Sequence, residues 1–169
     1  MIRILTLLTA CFLYLGSQAQ EADSLKAPYR KSPNIAPFDL LGIDSSTHIT
    51  KGDINLRHKT MLMFFSPDCS HCQHQTEDMI AGMDSLKDVQ IVMATYQPFE
   101  DMVNFYKKYE LAKYNNIKIG RDIKYVLPPY YQMRSLPYLA LYDGQGNYIT
   151  HFEGNQKIAT LVAAFSMGK

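Results

Sequence analysis

The chain has 169 residues, 47% hydrophobic and 20% charged, with a formal net charge of +1. That composition suits one globular domain with a buried core. Without residues 1–19, whose only charge is Arg3, 16 bases face 16 acids; a neutral surface gives no electrostatic basis for binding nucleic acid or acidic lipid.

The N-terminus has the pattern of a secretory signal over residues 1–19. Arg3 forms a short charged region, Ile4 to Leu15 an apolar one, and Ser17 and Ala19 place small residues before a cut at Gln20. The apolar run is shorter than the roughly 20 residues a membrane span needs. Two alternatives stay open. Leu8-Thr9-Ala10-Cys11 is similar to a bacterial lipobox, so Cys11 is a candidate for lipidation, and the signal is a candidate uncleaved anchor. Only these alternatives put the protein at a membrane. In each case the protein is exported, to the periplasm or beyond. Residues 20–33 are polar, carry two prolines and lack periodicity; they read as a flexible linker, with the domain over 34–169.

Phe38–Leu41 and Thr47–Ile49 are predicted to be short strands around a Gly42–Ser46 turn. Lys59–Phe65 is a continuous apolar run, the pattern of a strand buried on both faces. After Ser66-Pro67-Asp68 comes a helix over about 69–86, with Cys72, Met79, Ile80, Met83 and Leu86 at helical spacing. Val89–Thr95 is a second buried strand. Pro98 opens a helix with Glu100 and Asp101 in its first turn and Lys107 and Lys108 near its end, as the helix dipole favours; Phe99, Met102, Val103 and Tyr106 form its apolar face. A strand at Ile117–Ile119 and a helix near Ile123–Met133, disturbed by Pro128 and Pro129, follow. Tyr138–Tyr142 and Tyr148–Phe152 are strands around the hairpin loop Asp143–Asn147. Asn155 is placed to cap a last helix carrying Ile158, Leu161, Val162 and Phe165. The order is that of an α/β fold with a mixed sheet.

With Cys11 in the signal, the exported chain keeps Cys69 and Cys72. Two cysteines this close span too short a loop to restrict the unfolded chain much, so chemistry explains them better than stapling. Residues three apart in a first helical turn share a face, and the sulfurs can bond with modest distortion. The sulfur of Cys69 lies where unpaired backbone N–H groups point, which stabilises a thiolate; that of Cys72 is a turn deeper. Cys69 is therefore the expected nucleophile and Cys72 the resolving partner. An imidazolium at His71, between them, would favour the Cys69 thiolate further and make the disulfide a stronger oxidant.

The segment Phe64-Phe65-Ser66-Pro67-Asp68-Cys69-Ser70-His71-Cys72 resembles the thioredoxin superfamily, in particular the exported TlpA/ResA-like thiol–disulfide oxidoreductases, and the likeness spans about residues 34–168. It implies a thioredoxin-like fold: a central mixed sheet flanked by helices, with a short N-terminal β extension. A second mark is Ser135-Leu136-Pro137 before an apolar strand. In that family the proline is cis and faces the cysteine pair, and the residue before it offers its backbone to the substrate. By analogy Pro137 belongs to the site, and Leu136 and Ser70 are the expected substrate contacts. No cofactor is implied. The expected partners are protein or small-molecule disulfides and dithiols, together with a redox partner that the sequence does not identify.

There are departures from the family. Asp68 stands where the family has Trp, and Met63 replaces the buried acid of thioredoxin itself, which leaves His71, Asp68, Glu77 or water to handle protons. The inner dipeptide Ser70-His71 has its His where DsbA proteins have theirs, but the chain is too short for the DsbA helical insertion. The resemblance speaks for fold and chemistry, not for the direction of electron flow. Cys69, His71, Cys72 and His74, with His48 and His58 upstream, leave a metal-binding alternative, since thiolates and imidazoles suit Cu(I) or Zn; Sco-type copper chaperones, however, space their cysteines by three. Ser66-Pro67-Asp68-Cys69 fits the peroxiredoxin core, with Leu62 where its proline should fall and Arg121 or Arg134 as the required arginine. A binding module without catalysis is the third alternative. His48, His58 and His151 read as surface residues, and Tyr130, Tyr131 and Tyr138 as core.

Overall fold

The computed structural model describes residues 27–168. The signal expected over 1–19, the lipidation alternative at Cys11 and the first part of the expected linker lie outside them. The sheet is organised by β3 (Lys59–Phe64), whose side chains are buried from Thr60 onward. Met61, Met63 and Phe65 point to one face, and Leu62 and Phe64 to the other. An apolar side chain buried this fully contributes about 1.5–3 kcal/mol. β3 pairs in parallel with β4 (Val89–Thr95) and antiparallel with β6 (Tyr138–Tyr142). With β1 (Asp39–Gly42), β2 (His48–Thr50), β5 (Ile117–Arg121) and β7 (Tyr148–Glu153), a seven-stranded mixed sheet forms in the order β2-β1-β5-β4-β3-β6-β7.

The front face carries α2 (Ser70–Ala81), α4 (Phe99–Lys108) and α6 (Ile158–Phe165), which share a core with Met63, Met93 and Leu139. The back face is covered by α1 (Pro28–Lys31), the segment after it, and α5 (Leu127–Tyr131), around Leu62, Val92, Tyr138 and Tyr142. Aromatic rings dominate there. Tyr29 packs against Tyr131, Tyr148 and His151, and His151 stacks on Tyr138 at 5.1 Å. The Tyr148 hydroxyl lies 2.5 Å from His151 Nδ1. Among the described residues no helix is long and apolar enough to cross a membrane.

Several expectations change in detail. The helix predicted over 69–86 breaks at Gly82 into α2 and α3 (Met83–Leu86). A Cβ on Gly82 would meet Ile158 at 2.8 Å, so the break is where α6 approaches. Pro128 and Pro129 stand near the start of the short helix α5, where their missing N–H groups cost nothing. On α4 Met102 is buried as predicted and Phe99 and Tyr106 pack against the core, while Phe105 and, beyond the helix end, Tyr109 widen the predicted face. The packed structure reaches back into the expected linker to Ala27, because Tyr29 finds an aromatic pocket. His151 is half-buried, not at the surface. α6 is not capped by Asn155: its N-cap is Lys157, without a side-chain bond.

The β1–β5 contact offers a direct test of the packing. A Cβ on Gly120 would lie 2.7 Å from the Leu40 Cβ and 3.1 Å from the Leu41 carbonyl oxygen. Gly120→Ala is therefore expected to destabilise the protein by about 1–3 kcal/mol in urea unfolding.

Candidate active site

β3 ends where the Phe65 N–H donates to the Ala94 carbonyl at 2.9 Å, and the chain then turns outward through Ser66-Pro67-Asp68. The turn is fixed from two sides: the Cys69 N–H donates to the Ser66 carbonyl (3.1 Å), and Gln73 Nε2 to the Pro67 carbonyl (2.7 Å). Cys69 is thereby the N-cap of α2, and its sulfur accepts the Cys72 N–H at 3.4 Å. This bond puts the Cys69 sulfur among the free N–H groups of a twelve-residue helix, where negative charge is stabilised. Cys72 is fully buried, in the front core to which Met63, Phe65 and Met79 also belong. Burial pushes its thiol above the ordinary range, with the Cys69 sulfur adding to the effect. Both cysteines are free thiols, one half-buried and one buried.

The Leu136–Pro137 peptide is cis. In the β3–β6 register Phe64 faces Tyr138, so Pro137 follows at the end of the sheet where β3 runs out toward Cys69. Leu136 and Cys69 border the same front core. Among the described residues no group bonds the Leu136 N–H or carbonyl. Beside Leu136 opens a cleft of about 160 Å³ lined by Phe64, Tyr96, Tyr125, Pro128 and Met133. Tyr96 stacks on Phe64 and meets Tyr125 edge-on, and the two tyrosines are 41% and 53% exposed. Tyr125 has φ +51°, uncommon for an aromatic residue and a strain of about 1–3 kcal/mol. Its loop is held by Asp122, whose buried carboxylate accepts the N–H groups of Val126 and Leu127 at 3.1 and 2.8 Å.

One short segment joins the two halves of the site. At the end of β7, the Glu153 carboxylate accepts the Ser135 hydroxyl at 3.0 Å and the Arg134 N–H at 3.4 Å. The Gly154 N–H donates to the Pro137 carbonyl at 2.8 Å. Asn155 contacts His71 twice: Nδ2 donates to the His71 carbonyl at 2.8 Å, and Oδ1 lies 3.1 Å from the ring Nδ1. The fully buried Gln75 is paired with the Gln156 backbone, accepting its N–H at 2.6 Å and donating to its carbonyl at 3.2 Å. Gly154 makes this alternation possible with φ +78°.

The expected residues Cys69, Ser70, His71 and Cys72 thus lie on one helix start, and Leu136 and Pro137 on the facing loop. Ser70 and His71 are exposed. Of the expected proton carriers, Asp68 is exposed and Glu77 is at the surface, accepting the Tyr109 hydroxyl at 3.4 Å. Sequence reasoning missed Gln75, Glu153, Asn155 and Gln156, whose partners are distant in the chain, and the cleft tyrosines Tyr96 and Tyr125. The residues of the metal alternative are not gathered: among the described residues no three His, Cys, Asp or Glu side chains are placed to hold an ion. Arg121, a candidate for the peroxidase arginine, donates to the Gln97 carbonyl at 2.7 Å.

A family model described as a thioredoxin-like domain matches residues 54–168. No curated protein matches the chain. Among solved structures it is similar to a secreted Mycobacterium tuberculosis disulfide oxidoreductase homologous to E. coli DsbE, at 17% identity and TM-score 0.63, over 77% of this chain and 95% of that one. The exposed lipoprotein thioredoxin of Streptococcus pneumoniae shares 24% identity at TM-score 0.61, over 78% and 98%. StoA of Bacillus subtilis shares 20% at TM-score 0.58, over 76% and 97%. Likeness at these identities is likeness of fold.

The Gln75–Gln156 pair is expected to hold the joining segment in place. Gln75→Leu would leave two backbone groups without their partner and lower stability by about 1–3 kcal/mol in urea unfolding. Amide exchange at Gln156 should accelerate at the same time.

Proposed function

We propose, since the chain belongs to the thioredoxin-like domain family, that it is a thiol–disulfide oxidoreductase working through Cys69 and Cys72. The observation that carries this reading is the unlike setting of the two sulfurs. That of Cys69 caps a helix and is half-exposed, while that of Cys72 is buried and kept protonated. In the reducing direction the Cys69 thiolate attacks one sulfur of a substrate disulfide, and the other leaves as a thiolate. Cys72 then loses its proton and attacks the Cys69 sulfur of the mixed disulfide. The substrate leaves as a dithiol, two electrons richer, and a Cys69–Cys72 disulfide remains. Run backward, the same steps oxidise a dithiol.

In this reading His71 stabilises the Cys69 thiolate from the first turn of α2, and Ser70 and Leu136 contact the substrate. The unbonded N–H and carbonyl of Leu136 suit pairing with an extended peptide, as a short added strand. The aromatic cleft beside Leu136 suits an apolar side chain on that peptide. Residues 1–19 serve as a secretory signal in this reading, and the protein acts after export. The secreted and surface-exposed proteins among its structural neighbours support that setting.

Cys69→Ser is expected to abolish disulfide exchange, while Cys72→Ser should accumulate a mixed disulfide with substrate. In the reduced protein near neutral pH, iodoacetamide should label Cys69 first; preferential labelling of Cys72 would reverse the assigned roles. His71→Ala should make the potential of the pair more negative, by about 30 mV for each ~1.4 kcal/mol of thiolate stabilisation lost. Equilibration with glutathione measures that shift.

A further inference from the structure

We propose that Asn155 is a positioning residue for His71, holding its ring in a single tautomer beside the redox pair; the inference rests on the redox role given to His71 above. It starts from the orientation of the Asn155 amide. Its Nδ2 lies 2.8 Å from the His71 carbonyl oxygen, which only accepts. Flipping the amide would set oxygen against oxygen, so Nδ2 is the group at the carbonyl and Oδ1 the group at the ring. Oδ1 is itself only an acceptor, and it lies 3.1 Å from Nδ1. Nδ1 must therefore carry the hydrogen, and Nε2 is the nitrogen that gains and loses a proton.

Two features make this more than a surface contact. Asn155 binds the backbone and the ring of the same residue, so the ring is tied to the helix turn that holds Cys69 and Cys72. The bond to Nδ1 also survives protonation at Nε2, so one arrangement serves both the neutral imidazole and the imidazolium. One turn further along α2, Gln75 makes the parallel attachment to Gln156. That second pair keeps the segment docked when Asn155 is replaced, so Asn155 variants are expected to fold.

The test uses the full chain in its reduced form, labelled with ¹⁵N. The wild type should show His71 as the Nδ1–H tautomer. Asn155→Ala should give a mixture of tautomers. An unchanged tautomer in Asn155→Ala overturns the proposal, whatever His71 contributes to exchange. A kinetic cycle adds the functional arm. Asn155→Ala should slow iodoacetamide alkylation of Cys69 about fivefold, the scale of one hydrogen bond. In a His71→Ala background it should have no further effect. Equal slowing in both backgrounds overturns the positioning role, since Asn155 would then act through the fold. Should His71→Ala itself leave alkylation unchanged, the redox role of His71 fails, and the tautomer measurement still decides the one given to Asn155.

Discussion

Burial of β3 on both faces is the constraint from which the rest of the structure follows. A strand with apolar side chains above and below, and neighbours hydrogen-bonded along both edges, must lie in the interior of the sheet. Its alternation divides the molecule into a front core with Met61, Met63 and Phe65 and a back core with Leu62 and Phe64. Its end positions the candidate site. At Phe65 the last ladder bond is made to Ala94, the chain leaves the sheet, and the next helix must begin there, with Cys69 at its cap.

The candidate site is then closed by a piece of chain that carries neither cysteine. Glu153, Gly154, Asn155 and Gln156 each bond a different part of it: the loop before Pro137, the Pro137 carbonyl, His71 and Gln75. Four consecutive residues thus hold the CxxC helix and the proline loop to a common reference. Backbone groups and amides supply most of these bonds. Only Glu153 brings a charge, and it is spent on the Ser135 hydroxyl and the Arg134 N–H.

Local pattern made the frame readable and left the joints obscure. β3 and β4 were legible because an unbroken apolar run has few other homes, and the 143–147 loop because its residues tolerate tight turns. The cysteine pair stood out by its place after a buried strand. Asn155 shows the opposite case. A polar residue just before an apolar periodic segment fits the rule for a helix cap, but its amide is taken by His71 from elsewhere in the chain. Nothing in the local sequence distinguishes these two uses. Gly82 and Tyr29 follow the same logic: the break in the first long helix depends on Ile158, and the ordering of Tyr29 depends on Tyr131 and Tyr148.

The tyrosine cluster behind the sheet has an electrical consequence. Burial raises the pKa values of Tyr131, Tyr138, Tyr142 and Tyr148 well above the ordinary phenol value, so these hydroxyls stay neutral throughout the physiological range. Burial also favours the uncharged imidazole of His151 in their midst. The back core is thus an electrically quiet layer: its phenols carry no charge across the physiological range, and the imidazole among them is held toward its neutral form.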